Sequence, residues 1–209
     1  MRILIADDHE VVRQGLKQML SDEFPEVVFG EASSAAETFE KAVAEDWDLV
    51  ILDVNMPGRG GIESLADLKK AKPRMPVLIL SMFSESEYAV RALKAGAAGY
   101  VNKGSVTREL IDAVKKAVSG SRYITPALGE LLAADLGWGG GSDPHHKLSD
   151  REYEVMKLIA VGNSVKAIAA DLSLSEKTVF TYRTRLLEKL GLDSDVDVAR
   201  YALRHGLVE

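Results

Sequence analysis

The sequence predicts a doubly wound α/β domain followed by a compact all-helical domain. Three observations predict it. Short apolar runs alternate with amphipathic segments five times over the first 120 residues. A glycine-rich, proline-punctuated stretch then interrupts the pattern at 137–146. Beyond it the periodicity is helical only. Strand–helix alternation builds a mostly parallel sheet with helices on both faces, whereas helices alone must pack on each other.

The strands are expected at Ile3-Leu4-Ile5, Val27-Val28-Phe29, Leu49-Val50-Ile51-Leu52, Val77-Leu78-Ile79-Leu80 and Gly99-Tyr100-Val101. Their unbroken apolarity suits strands covered on both faces. Helices are expected over roughly 9–20, 34–45, 61–71, 85–95 and 106–118. Ser84 with Glu87 has the spacing of a capping box for the fourth. Thr125-Pro126 starts a further short helix, with Thr as cap and Pro at the first helical position.

Gly137 to His146 reads as linker, since such sequence buries little. His145-His146 is read with it, because no acidic or cysteine partner stands nearby. After it, Ser149 with Glu152 forms a second capping box, opening a helix to about Val161. Ser164 opens a short helix to Leu172. Ser175 opens a longer one to Leu190, closed by Gly191. Ser194 opens the last, to His205, closed by Gly206. The middle pair has helix-turn-helix spacing. The expected domains are 1–120, a short helix and linker at 121–146, and 147–209.

Composition narrows the function classes. The chain has 209 residues, a net charge of -6 and no cysteine. That excludes a disulfide scaffold, an iron–sulfur cluster and cysteine-based zinc sites. No apolar run reaches the roughly 20 residues of a membrane span. The first apolar run meets Asp7-Asp8 at once, so no signal peptide is expected and a cytoplasmic setting fits. From Lys147 onward, ten Lys/Arg balance ten Asp/Glu. Residues 1–146 hold the remaining 16 basic and 22 acidic residues, hence the whole -6. An acidic half joined to a neutral half argues for modules with different partners.

Ligands of doubly wound folds sit at the carboxyl ends of the strands. Strand one delivers Asp7-Asp8 there, strand three Asp53, strand four Ser81, and strand five is followed by Lys103. Close carboxylates repel unless a cation sits among them, and Mg²⁺ takes oxygen ligands of this kind. A metal plus Lys103 favours a bound phosphoryl group, to which Ser81 can donate. His9 is read as lying at the helix start, outside this pocket. The plausible nucleophile is then a carboxylate, giving an acyl phosphate, with Asp53 the best candidate.

Asp7-Asp8-His9-Glu10, Asp53-Val54-Asn55-Met56-Pro57-Gly58, Ser81 and Gly99-Tyr100-Val101-Asn102-Lys103 together resemble the receiver domain of two-component response regulators. The resemblance covers about 2–120 and implies a flavodoxin-like five-stranded fold. It implies that Asp53 accepts phosphate from a sensor histidine kinase. It implies that Asp8, Asp53 and the Asn55 carbonyl hold Mg²⁺, with Asp7 acting through water. Lys103 would pair with the phosphoryl group, Ser81 would swing toward it, and Tyr100 would rotate into the space vacated. Read by itself, Tyr100 also fits a plain strand aromatic. Asn102-Lys103-Gly104 departs from the commoner apolar-Lys-Pro pattern and bears on the loop shape.

The helix from Ser175 to Leu190 carries four Lys/Arg against two Glu. Val179, Leu186, Leu187 and Leu190 supply its apolar stripe. Leu148-Ser149-Asp150-Arg151-Glu152, Gly162-Asn163-Ser164 and Ser175-Glu176-Lys177-Thr178-Val179, followed by Glu188-Lys189-Leu190-Gly191, resemble the LuxR-type DNA-binding domain. With the receiver this is similar to the NarL/FixJ subclass. The resemblance implies a four-helix domain whose segment 165–184 binds double-stranded DNA. Many members have Thr-Val-Lys-x-His where this chain has Thr178-Val179-Phe180-Thr181-Tyr182. Phe180 is apolar and suits a thymine methyl. By analogy Thr178, Tyr182, Arg185 and Lys189 are expected at the phosphate backbone. Lys177, Phe180, Thr181 and Thr184 are expected at base edges. In the last helix Val198, Tyr201 and Ala202 share one side, which serves either a homodimer on DNA or internal packing.

The resulting expectation is a phosphorylation-controlled transcription regulator. It is not expected to be an enzyme beyond slow self-dephosphorylation. Aspartyl-phosphate phosphatases place a second Asp two residues after the nucleophile, and this chain has Asn55.

Overall fold

A computed structural model describes residues 1–209 except 57–59, 83–84, 105–106, 134–143, 173 and 209, and excepting also the side chains of 85–87, 107, 146 and 150. The expected capping box of Ser84 and Glu87, and most of the expected linker, lie outside the described residues. The chain divides into two units, 1–138 and 139–209.

In the first unit the strands are β1 (Arg2–Ala6), β2 (Val28–Ala32), β3 (Leu49–Asp53), β4 (Val77–Ser81) and β5 (Gly99–Asn102). All pair in parallel, in the order β2-β1-β3-β4-β5. The helices are α1 (Glu10–Glu23), α2 (Ala35–Ala44), α3 (Gly61–Ala71), α4 (Glu85–Lys94), α5 (Thr107–Val118) and α6 (Pro126–Ala133). The strand order reverses between β1 and β3, which places a ligand crevice at their carboxyl ends.

Side-chain alternation divides the core. Ile3, Ile5, Leu49, Ile51, Leu78, Leu80 and Val101 face Leu16 and Leu20 of α1 and Leu110, Ala113, Val114 and Ala117 of α5. The intervening strand residues point the other way, where α2, α3 and α4 pack in sequence. β3 and β4 are buried along their whole length, as their continuous apolarity requires.

β2 departs from expectation. It runs to Ala32 rather than stopping at Phe29, because pairing with β1 continues from Arg2↔Val28 to Ala6↔Ala32. Gly30 and Glu31 hide this in the sequence. Gly30 is needed because an added Cβ would stand 2.3 Å from the Trp47 ring. Glu31 is tolerated because the edge is half-exposed and Arg13 and Lys17 pair with it.

The second unit holds α7 (Asp150–Ala160), α8 (Val165–Asp171), α9 (Glu176–Leu190) and α10 (Asp195–Arg204), preceded by a 3-10 turn at Pro144–Lys147. Every helix start is a serine whose hydroxyl accepts a backbone N–H three residues on: Ser149, Ser164, Ser175 and Ser194. Ser149 and Glu152 complete the expected capping box. α7 packs against α9 and α10, and α8 against α9. Val155, Met156, Ile168, Val179, Leu186, Val198 and Ala202 fill the space between them.

His145 differs from the linker reading. It is only 8% exposed, and its Nδ1 lies 2.9 Å from the Tyr201 hydroxyl. Its ring also stands edge-on to Tyr201 and His205, with centroids 5.9 and 5.6 Å away. Aromatic rings carry enough apolar surface to be drawn into a core from a polar segment.

Candidate functional site

The parallel sheet brings three carboxylates and one ammonium to a single edge. Asp53 ends β3, Asp7 and Asp8 follow β1, and Lys103 follows β5. Asp7 and Asp53 are both 1% exposed. Lys103 Nζ donates to Asp7 Oδ2 and to Asp53 Oδ2, each at 2.6 Å. The other oxygens are also held: His9 N donates to Asp7 Oδ1 at 2.9 Å and Asn55 N to Asp53 Oδ1 at 3.0 Å. Ser81, which ends β4, is fully buried, and its carbonyl accepts from Lys103 N at 2.7 Å. The backbone as well as the side chain thus fixes Lys103.

Burial raises the Asp53 carboxyl above its ordinary range, against the pull of Lys103. Burial also disfavours the Lys103 ammonium. Its bonds to Asp53 and Asp7 outweigh that and hold it above its ordinary range. Lys103 therefore stays charged between two buried carboxylates.

Asp8 differs from its neighbours. Its Oδ1 is buried and makes no hydrogen bond among the described residues. His9 Nδ1 stands 2.9 Å from it without hydrogen-bond alignment. Ligand atoms of Asp7, Asp8, His9 and Asp53 lie within 4.8 Å of one another. Among the described residues, three carboxylates against one ammonium leave an excess of two negative charges, and one oxygen lacks a hydrogen-bond partner. That donor set fits a hard divalent cation. His9 was not expected there. It caps α1 from an extended conformation, and its ring turns back toward the acidic group.

The edge thus gathers Asp7, Asp8, Asp53, Ser81 and Lys103. Tyr100 is not among them: it lies inside β5 and is fully buried. Asn55 contributes its N–H to Asp53, and its side chain is exposed.

In α9, Val179, Leu186 and Leu190 face the core. Lys177, Phe180, Thr181, Thr184 and Arg185 lie exposed on the outer face, and Phe180 is 51% exposed. Thr181 and Thr184 donate to the carbonyls of Lys177 and Phe180, leaving their hydroxyl oxygens able to accept. Thr178 is tied to the cap, its hydroxyl 2.7 Å from that of Ser175. Lys189 Nζ donates to Glu152 at 2.6 Å, so it is committed within the unit. Tyr182 is half-buried.

The sequence leaves the apolar side of α10 open between a homodimer contact and internal packing. Val198 and Ala202 are both buried inside their own unit, against α7. Tyr201 is half-buried and engaged with His145. The exposed apolar residues of this helix are Val196 and Leu203.

Comparison with known proteins agrees with this geometry. Residues 3–115 match the response regulator receiver domain family, and residues 146–202 match the luxR family of bacterial regulatory proteins. Response regulator GacA of Pseudomonas viridiflava is 39% identical over 210 aligned positions, covering 100% of this chain and 98% of that protein. Response regulator UvrY of Escherichia coli K12 is 34% identical, covering 99% of this chain and 95% of that one. Among solved structures, RcsB of Salmonella enterica serovar Typhimurium, bound to promoter rprA with the phosphomimetic BeF3-, superposes with a TM-score of 0.62. That match has 27% identity and covers 96% of this chain and 98% of the other.

The chain belongs to the two-component response regulators of the NarL/FixJ type, which join a receiver domain to a LuxR-type DNA-binding domain. Its class is therefore transcription regulation. The receiver implies a kinase partner, and the LuxR-type domain binds DNA.

Proposed function

We propose that Asp53 accepts a phosphoryl group from a sensor histidine kinase and that phosphorylation controls DNA binding. The observation that carries this is Lys103 Nζ bridging Asp7 and Asp53 at 2.6 Å each. In the transfer, an Asp53 carboxylate oxygen forms the bond to phosphorus. The phosphorus–nitrogen bond of the kinase phosphohistidine breaks, and the imidazole nitrogen keeps the electron pair and is later protonated. Lys103 then exchanges a carboxylate for the phosphoryl oxygens, and Ser81 donates to one of them. Asp7, Asp8, Asp53 and the Asn55 carbonyl would hold Mg²⁺, which would neutralise phosphoryl charge.

The signal is read at Ser81 and Tyr100. It ends in the second unit, where Lys177, Phe180, Thr181, Thr184 and Arg185 present the groove-facing side of α9. Thr178, Tyr182 and Lys189 serve at its margins, at the phosphate backbone. Pairing of two chains matches a two-fold DNA site. The cytoplasm is the compartment that holds both DNA and kinase output. No helix among the described residues is long and apolar enough to cross a membrane. The chain is an acceptor rather than an enzyme, with slow self-dephosphorylation, because Asn55 stands where a phosphatase needs a second acid.

Intact mass after incubation with acetyl phosphate tests the reading. One Mg²⁺-dependent phosphoryl adduct is expected, absent from Asp53→Asn. An adduct of equal yield in Asp53→Asn, or none in the wild type, sinks it.

A further inference from the structure

β5 is the outer strand on its side of the sheet, yet its edge is not bare. Tyr123 forms a parallel bridge with Gly99, and its N–H donates to the Ala98 carbonyl at 2.7 Å. The approach is close. A Cβ on Gly99 would stand 2.8 Å from Tyr123 Cβ and 3.0 Å from the Tyr123 carbonyl oxygen. The Tyr123 ring packs against the core face that α1 and α5 cover. Two residues on, Thr125 caps α6 by accepting Leu128 N at 3.1 Å. α6 then packs on α4, with Leu128 fully buried. Residues 121–133 thus strap both the β5 edge and the α4 surface.

The same strand reaches the acidic site. Tyr100 follows Gly99, and β5 ends at Asn102, directly before Lys103. One four-residue strand therefore carries the strap at one end and the ammonium that holds Asp53 at the other. A strand is stiff along its length, so displacement at Lys103 is transmitted to Gly99. Backbone contact at Gly99 leaves no slack to absorb it, because a packed contact is held or lost rather than stretched.

We propose that the strap at 121–133 is the output element of the receiver. Phosphorylation of Asp53 draws Lys103 and β5 toward the phosphoryl group and loosens Tyr123 and α6. This releases α6 from α4, on the segment that precedes the second unit. The inference rests on the reading of Asp53 as acceptor and of Ser81 and Tyr100 as the switch. In it Tyr123 and Leu128 are positioning residues, touching neither phosphoryl group nor DNA.

Hydrogen exchange by mass spectrometry on the full chain tests it, with intact mass read on the same samples. With acetyl phosphate and Mg²⁺, amide exchange across 121–133 should quicken by about fivefold or more, the scale of a typical coupling. Leu128→Ala should exchange fast in this segment before any phosphorylation, show no further gain with it, and form the adduct to the same yield. An adduct with unchanged or slower exchange across 121–133 overturns the inference and leaves the acceptor reading standing. Wild-type exchange rates in Leu128→Ala also overturn it. No adduct overturns the acceptor reading, and this inference with it.

Discussion

Lys103 and Asp8 show how much at this site turns on single atoms. Lys103 satisfies Asp7 and Asp53 together, whereas Asp8 Oδ1 is buried and makes no hydrogen bond among the described residues. Asp8 therefore adds repulsion with no compensating bond in the metal-free protein. Asp8→Asn should raise metal-free stability by about 1 kcal/mol, the size of a partly screened charge contact. It should also abolish the melting shift that Mg²⁺ gives the wild type, since a ligand stabilises only the state that binds it. Melting with and without Mg²⁺ decides this; a destabilised variant that kept its Mg²⁺ shift would contradict it. Asp7, Asp53, Ser81 and Lys103 were legible in the sequence because each closes or follows an apolar run, and strand ends converge by topology alone. His9 and His145 were not. Spacing places a residue along the chain but does not say where its ring turns. Only the fold returns His9 to Asp8, or seats His145 beside Tyr201.

At the scale of elements, α7 is the best-anchored helix start of the second unit. Glu152 lies at its first turn, with Ser149 N donating to it at 2.7 Å and Lys189 of α9 at 2.6 Å. Burial would raise this carboxyl, but Lys189 and Ser149 together hold it below its ordinary value of 4.5. A group depressed by folding stabilises the native state above its unfolded pKa. That contribution is lost as pH falls through the lower folded value. Glu152→Gln should therefore cost about 1–3 kcal/mol near neutrality, the worth of hydrogen bonds to a charged group. The gap from wild type should close as pH falls below 4.5, and urea midpoints across that range would measure it. A gap independent of pH would assign the loss to packing. Strand and helix positions were readable because caps and periodicity are local. β2 was not, since only pairing with β1 carries it past Gly30. The apolar side of α10 was readable as a stripe but not by its partner. A 3.6-residue period is the same whether it meets α7 or another copy.

For the whole molecule, the division of charge matters more than the total. The DNA-binding half is neutral, and residues 1–146 carry the entire -6. Attraction to a polyanion must then come from a few exposed cations on one helix face, against a field set by the acidic receiver. Lys177 and Arg185 are exposed on α9, while Arg183 is paired with Asp195 and Lys189 with Glu152. Each phosphate neutralised contributes about 0.9 to the slope of log affinity against log salt. Arg185→Ala should flatten that slope by about one on a random-sequence duplex, and Lys177→Ala, at a residue expected at a base edge, by less. Lys189→Ala should flatten it less, because its charge is already answered within the unit. The segment 144–209 should bind the same duplex more tightly than the full chain. That advantage should shrink as salt rises from about 50 to 200 mM, since only the repulsion from the receiver is being screened. An advantage constant across salt would mean that the receiver opposes binding by contact instead. In that case the strap, rather than the charge of the receiver, would govern access to DNA.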